Sequence, residues 1–205
     1  GIIESVFYNP ANLSSSKKSA FLIGKTNFYE QDFLDYQYFS VLYRISKKNN
    51  IAFTVQKLGT KTKGSNQPQD LLSSEQSITL SQGFALLDDK NSSLRFGYNI
   101  NYLILKQGRT AGTAGDGSNG LPGKEITSYG IDLSLLASLR EKITMGVFMK
   151  NINSPSIGRG SNSQYLPRRM NIGFSYIPFD KLITSFNYEK IIYNCFSIYS
   201  PVHLL

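Results

Sequence analysis

The sequence predicts an all-β fold, an antiparallel up-and-down barrel of the outer-membrane type. Three observations predict it: long stretches of alternation, connections that alternate in length, and a strand face without charge. The clearest stretch is 93–106. Leu94, Phe96, Tyr98, Ile100, Tyr102 and Ile104 fall on one face, and Arg95, Gly97, Asn99 and Asn101 on the other. Period two is the signature of a strand with one apolar and one polar side. Leu103 and Leu105 blur its far end. A bilayer is crossed obliquely by about 9–11 residues of strand, and this stretch is long enough.

Composition agrees with that class. The chain has 205 residues, enough for one domain or one barrel. Charged residues make up 18%, below the roughly 25% of soluble domains. There are 13 Tyr, 13 Phe and no Trp. No run of about 18 apolar residues occurs, which excludes a transmembrane helix but not a β-barrel, whose strands alternate. Gly1 opens directly on Ile2-Ile3-Glu4-Ser5, so any targeting segment is expected to be missing or already removed. The net charge is +8, spread over pairs such as Lys17-Lys18, Lys47-Lys48 and Arg168-Arg169. A nucleic-acid binder concentrates its charge on one stripe, so no nucleic-acid partner is expected.

Residues 1–19 do not alternate. Gly1–Tyr8 fits a helical turn ending near Asn9-Pro10, because the residue before proline is pushed out of the helical region. Asn9–Leu13 then reads as a compact turn. The segment is either plug-like or a lead-in to the first strand.

Barrel-wall strands are expected within 20–199, at 20–29, 36–46, 50–59, 74–87, 93–106, 126–138, 142–152, 168–177 and 182–190. Residues 191–199 offer a tenth, and 200–205 form an irregular tail. Short turns fall at 46–49, 88–92, 139–141 and 178–181, and longer connections at 30–35, 60–73, 107–125 and 153–167. Every second connection is long, as in outer-membrane barrels with short periplasmic turns and long external loops. The glycine-rich 107–125 loop has no Gly-Lys-Ser/Thr at phosphate-loop spacing, and is expected to be external and mobile.

The apolar face includes Phe39, Val41, Tyr43, Ile51, Phe53, Val55, Tyr129, Ile131, Leu133, Met145, Val147 and Phe174, and carries no charge across eight strands. Lys or Arg at mid-bilayer on the lipid face costs about 2–4 kcal/mol. Arginine is therefore expected to be harmful at Ile100 or Leu133 and tolerated at Asn99 or Ser134. The opposite face carries Arg95, Asn99, Asp132, Lys150 and Arg169, candidates for a polar lumen. Asp132, Lys150 and Arg169 are expected to form an ion-pair network there, with binding of an anionic head group as the alternative. Glycine recurs on this face at 97, 130, 146 and 173. It leaves room for a plug or ligand, or it curves the wall.

Several stretches resemble the PorV/PorQ family of Bacteroidetes outer-membrane proteins, which is similar to the long-chain fatty acid transporter barrels. They are Tyr8-Asn9-Pro10-Ala11-Asn12-Leu13, Tyr129–Leu133, Met145–Ile152 and Leu166–Gly173. The resemblance spans roughly residues 5–190 and implies a fourteen-stranded barrel of the outer membrane, of which this chain is a fragment of nine or ten strands. It places Asn9, Pro10 and Ala11 at an inner plug. It also implies a role in type IX secretion and surface attachment, or in transport of hydrophobic compounds. The partners so implied are outer-membrane lipid, secretion-system components or a hydrophobic ligand.

No chemistry competes with this reading. His203 and Cys195 stand alone, so neither a metal cluster, an internal disulfide nor a Ser-His-Asp triad is expected. The chain is expected not to be an enzyme and to need no cofactor. The other function class is a soluble β-barrel or sandwich with a binding or structural role.

Overall fold

The computed structural model of the chain describes residues 2–27, 33–61, 71–110, 112–113, 119–158, 163–179 and 182–192. Two short 3₁₀ helices, Ile3–Phe7 and Pro10–Ser15, precede the strands. The strands are β1 (Ala20–Asn27), β2 (Leu34–Arg44), β3 (Asn49–Lys61), β4 (Leu71–Asp88), β5 (Ser92–Gln107), β6 (Lys124–Leu139), β7 (Ile143–Lys150), β8 (Ser156–Ile157), β9 (Gln164–Tyr165), β10 (Arg168–Phe179) and β11 (Leu182–Ile192). Nine of them form one antiparallel sheet in the order β1-β2-β3-β4-β5-β6-β7-β10-β11, while β8 and β9 pair separately. Connections therefore fall alternately on two rims. Those at 45–48, 89–91, 140–142 and 180–181 are short, and those at 28–33, 62–70, 108–123 and 151–167 are longer.

The described strands form an open antiparallel sheet of nine strands, within the nine or ten expected, and no closure into a barrel is seen among the described residues. β1 and β11 each pair on one side only. Two differences have local causes. β3 and β4 run on into the loop expected at 60–73, with Thr60 opposite Ser73. Serine and threonine carry no apolar alternation there, so the pattern fades while the backbone ladder continues. The tight turn expected at Asn9–Leu13 is a second 3₁₀ helix. Asn9 is extended at its start (φ −164°, ψ 92°), and its side chain accepts from the Ala11 amide at 3.2 Å. The possible strand at 191–199, apart from Ile191 and Ile192, lies outside the described residues, as do the tail, Cys195, His203 and the centre of the 107–125 loop.

Burial across the sheet is inverted relative to a soluble protein. On one face Phe21 is 75% exposed, Tyr129 65% and Ile100 47%. On the other, Ser40, Asn50, Thr54 and Ser81 are fully buried, and Asn99, Asp132 and Ser134 almost so. An exposed leucine is ordinary, whereas a buried polar face needs an explanation. Here the cover is the N-terminal segment. Ile3, Val6 and Leu13 pack with Leu42 and Ala52 of the inner face, joined by Phe7 and Leu22. This apolar cluster sits beneath the short-turn rim.

The close seat of the segment depends on glycine. A Cβ on Gly97 would overlap the Pro10–Ala11 backbone, and one on Gly83 would lie 2.7 Å from the Pro10 carbonyl oxygen and 2.9 Å from the Ser14 nitrogen. These atoms belong to backbone and cannot rotate away. Gly97→Leu is expected to unseat residues 3–16 and leave the sheet paired. The check is accelerated hydrogen exchange over 3–16 with unchanged exchange in β3 to β6. Simultaneous loss of protection in both would instead place Gly97 in the sheet's own stability.

Candidate functional site

The candidate site is the inner, polar face and the segment lying on it. Successive strands place same-face residues side by side by register. Asn50 on β3, Gly83 on β4, Gly97 and Asn99 on β5, and Asp132 and Ser134 on β6 all point inward. The segment's backbone meets them directly. The Ala11 amide donates to Ser134 Oγ at 2.9 Å. Asn50 Nδ2 donates to the carbonyl oxygens of Leu13 at 2.7 Å and Ser16 at 3.0 Å. Asn99 Nδ2 donates to the Val6 carbonyl at 3.0 Å, and Asn9 Nδ2 to that of Leu135 at 3.3 Å. Short non-regular backbone leaves donors and acceptors open, and the wall's amides and hydroxyls supply their partners.

Asp132 is the hub of this face. Its Oδ2 accepts from Asn101 Nδ2 at 2.8 Å and Asn99 Nδ2 at 3.2 Å, and its Oδ1 from the Asn151 amide at 2.9 Å. Asn99 carries the link on to the N-terminal segment. Asn151 carries it to the long β7–β10 connection, where its side chain donates to the Pro167 carbonyl at 3.3 Å. The same connection closes a step in the wall. β7 pairs with β6 only from Leu133 to Leu139, which leaves the rest of that edge bare. Asn153 takes the place of a strand there: its Oδ1 accepts from the Ile131 amide and its Nδ2 donates to the Tyr129 carbonyl, both at 2.9 Å.

Above the segment the face opens into a chamber of about 600 Å³. Val6, Phe7 and Tyr8 form one end and Leu166 and Pro167 the other, with Asp132, Lys150 and Arg169 in its lining. It shares Tyr36, Gln56, Glu75, Ser77, Leu103 and Leu166 with a more apolar cavity of about 410 Å³ under the long-loop rim. Leu58, Leu105, Ile126 and Ile157 are among the other residues of that second lining. Leu103 and Leu105, which blurred the alternation of β5, are therefore inward residues facing an apolar space.

The expected ion-pair network does not form. Asp132 is satisfied by three N–H donors instead of a cation. Arg169 lies 3.7 Å from Glu189 across the β10–β11 pair, and Arg95 lies 3.8 Å from Asp88 near the short-turn rim. Lys150 and Arg169 share the chamber lining; Arg95 does not reach it. Of the four glycines, Gly97 and Gly146 face the N-terminal segment, Gly146 against Asn9 Nδ2. Gly130 faces Asn151 and Pro155, and Gly173 has open space up to Asn187. Asn99 and Ser134 lie beneath the segment, so an arginine at either would meet its backbone as well as the lumen. The positions suited to that comparison are inward residues of the open chamber, such as Ser77. Asn50, Gly83, Asn151 and Asn153 were missed, and Asn101 was read as a polar-face residue but not as a partner of Asp132, because a single alternating polar residue carries no signal of its partner.

No family model and no curated protein matches this chain. The geometry alone carries the functional reading.

Asp132→Asn tests the hub. The amide replaces one acceptor oxygen with a donor that faces donors, and leaving a buried polar group unpaired costs about 1–3 kcal/mol. Hydrogen exchange should quicken both at the Asn151 amide and over residues 3–8. Quickening at only one of them would show that Asp132 does not join the two segments.

Proposed function

We propose that this chain builds the wall of an outer-membrane β-barrel in a Gram-negative cell, with residues 3–16 closing its lumen on the short-turn, periplasmic side. The observation that carries the reading is the inverted burial: an apolar face left exposed, with Lys25, Lys57 and Lys106 only towards its long-loop end, and a hydrogen-bonded polar face enclosed. Lipid is the surrounding that makes this arrangement favourable. The sorting of long and short connections onto opposite rims supports the same reading. A spanning sheet cannot keep open edges in hydrocarbon, so the free edges of β1 and β11 are paired in the membrane, with each other or with further strands.

Within that frame the chain serves the passage of a hydrophobic compound. The apolar cavity under the long-loop rim and the chamber below it give such a compound successive stations above the closed end. The resemblance to PorV/PorQ proteins implies secretion and surface attachment instead, and no cavity or contact described here favours that role. The soluble alternative leaves the exposed apolar face of eight strands without a partner.

Two measurements test the proposal. Ile100→Arg should cut the amount of protein assembled in outer membranes severely, in line with about 2–4 kcal/mol for a mid-bilayer cation, while Ser77→Arg assembles normally. Equal assembly of the two sinks the membrane reading. Deleting residues 1–12 should raise the permeability of reconstituted bilayers to small solutes while the strands still assemble. An intact barrel of unchanged permeability would reduce the segment to a lead-in.

A further inference from the structure

We infer that the outer face of β1–β4 holds a binding site for a phosphate-bearing anionic lipid, at the level where the apolar band ends below the long-loop rim. The inference rests on the membrane reading above and goes beyond it. An open groove of about 630 Å³ lies on this face, with Ile23, Phe39, Val55, Lys25, Lys57 and Gln76 in its lining. Register gives the groove its two halves. Lys25 stands opposite Gln37, Gln37 opposite Lys57, and Lys57 opposite Gln76, so four polar side chains cross four strands in one row. Two residues nearer the short-turn rim, Ile23, Phe39, Val55 and Ile78 form the matching apolar row. Phe21, Val41, Phe53 and Leu80 form the next.

The occupant must match both halves. Its head carries negative charge, since two of the four residues in the polar row are lysines. An ammonium gives a phosphate oxygen a charge-assisted hydrogen bond. Its tail is apolar, since the floor continues as apolar rows down the wall. A free phosphate would leave that floor unused. One carboxylate lies close by: Asp35 accepts from Gln37 Nε2 at 2.8 Å and stands 3.7 Å from Lys25 Nζ. The Lys25 side chain is 63% exposed and that of Asp35 20%; at 3.7 Å the contact is longer than a charge-assisted hydrogen bond, and the ammonium has three donors, so Lys25 can also donate to a second acceptor. Lys57 has no acidic partner among the described residues. Lys106, farther along the same face, is engaged with Glu125 at 3.0 Å and lies outside the groove.

The test uses the full chain, wild type and the Lys25→Gln/Lys57→Gln variant, mixed with vesicles of phosphatidylcholine alone or with added phosphatidylglycerol. Flotation reports insertion, and native mass spectrometry of the extracted protein counts the lipids retained. Wild type should retain phosphatidylglycerol over phosphatidylcholine. Each lysine removed should weaken that retention about fivefold, the effect of one basic residue at a charged membrane surface. Lys106→Gln should behave as wild type. If all proteins insert and the double variant retains phosphatidylglycerol as wild type does, the site is overturned and the membrane reading stands. An equal loss in Lys106→Gln also overturns the site, because general surface charge would then explain the retention. If wild type fails to float with either vesicle, the membrane reading fails and takes this inference with it.

Discussion

Everything else in this molecule depends on how the enclosed polar face is satisfied. A sheet whose inner side carries serine, threonine, asparagine and aspartate cannot be closed over by hydrocarbon side chains without orphaning those groups. The cover must itself be polar at the contact surface. Irregular backbone meets that requirement, since its amides and carbonyls are not used up in a ladder. The segment 3–16 presents backbone to Asn50, Asn99 and Ser134 and turns Ile3, Val6 and Leu13 to the few apolar residues of the inner wall. Polar satisfaction and a small apolar cluster fix the segment together, and neither alone defines its position.

Asp132 extends this constraint across the sheet. A buried carboxylate without a cation is stable only when donors surround it. Asn99, Asn101 and the Asn151 amide are those donors. Because they come from the wall and from the β7–β10 connection, the closed end and the long-loop side share one hydrogen-bonded group. The chain of bonds runs from the Val6 carbonyl through the Asn99 side chain to Asp132, and from Asp132 through the Asn151 amide and side chain to the Pro167 carbonyl.

Much of the fold was legible in the sequence, for a definite reason. Alternation over 93–106 and its counterparts fixes both strand position and facing, and turns fix the order of a meander. The limits of legibility are just as physical. Strand ends at Thr60 and Ser73 carry no alternation, so the extension of β3 and β4 could not be read. The pairing of Arg169 with Glu189 depends on register between neighbouring strands, which no periodicity reports. Asp132, Lys150 and Arg169 were rightly placed on one face, but face does not determine partner. Asn9-Pro10-Ala11 stood out by breaking the pattern, whereas the fit of Gly83 to its backbone needed the three-dimensional seat.

The seating of the N-terminal segment also orders the way the chain acquires its structure. Residues 3–16 precede all the described strands in the chain, yet their wall contacts reach Asn50, Asn99 and Ser134, and the Ala11–Ser134 bond spans 123 positions. Contacts so distant in sequence form late, because the intervening chain must be organised before they gain anything. The hairpins β2–β3, β4–β5 and β6–β7 are joined by short connections, so their pairing is local. A segment that comes before these strands in the chain is thus seated only after they have paired.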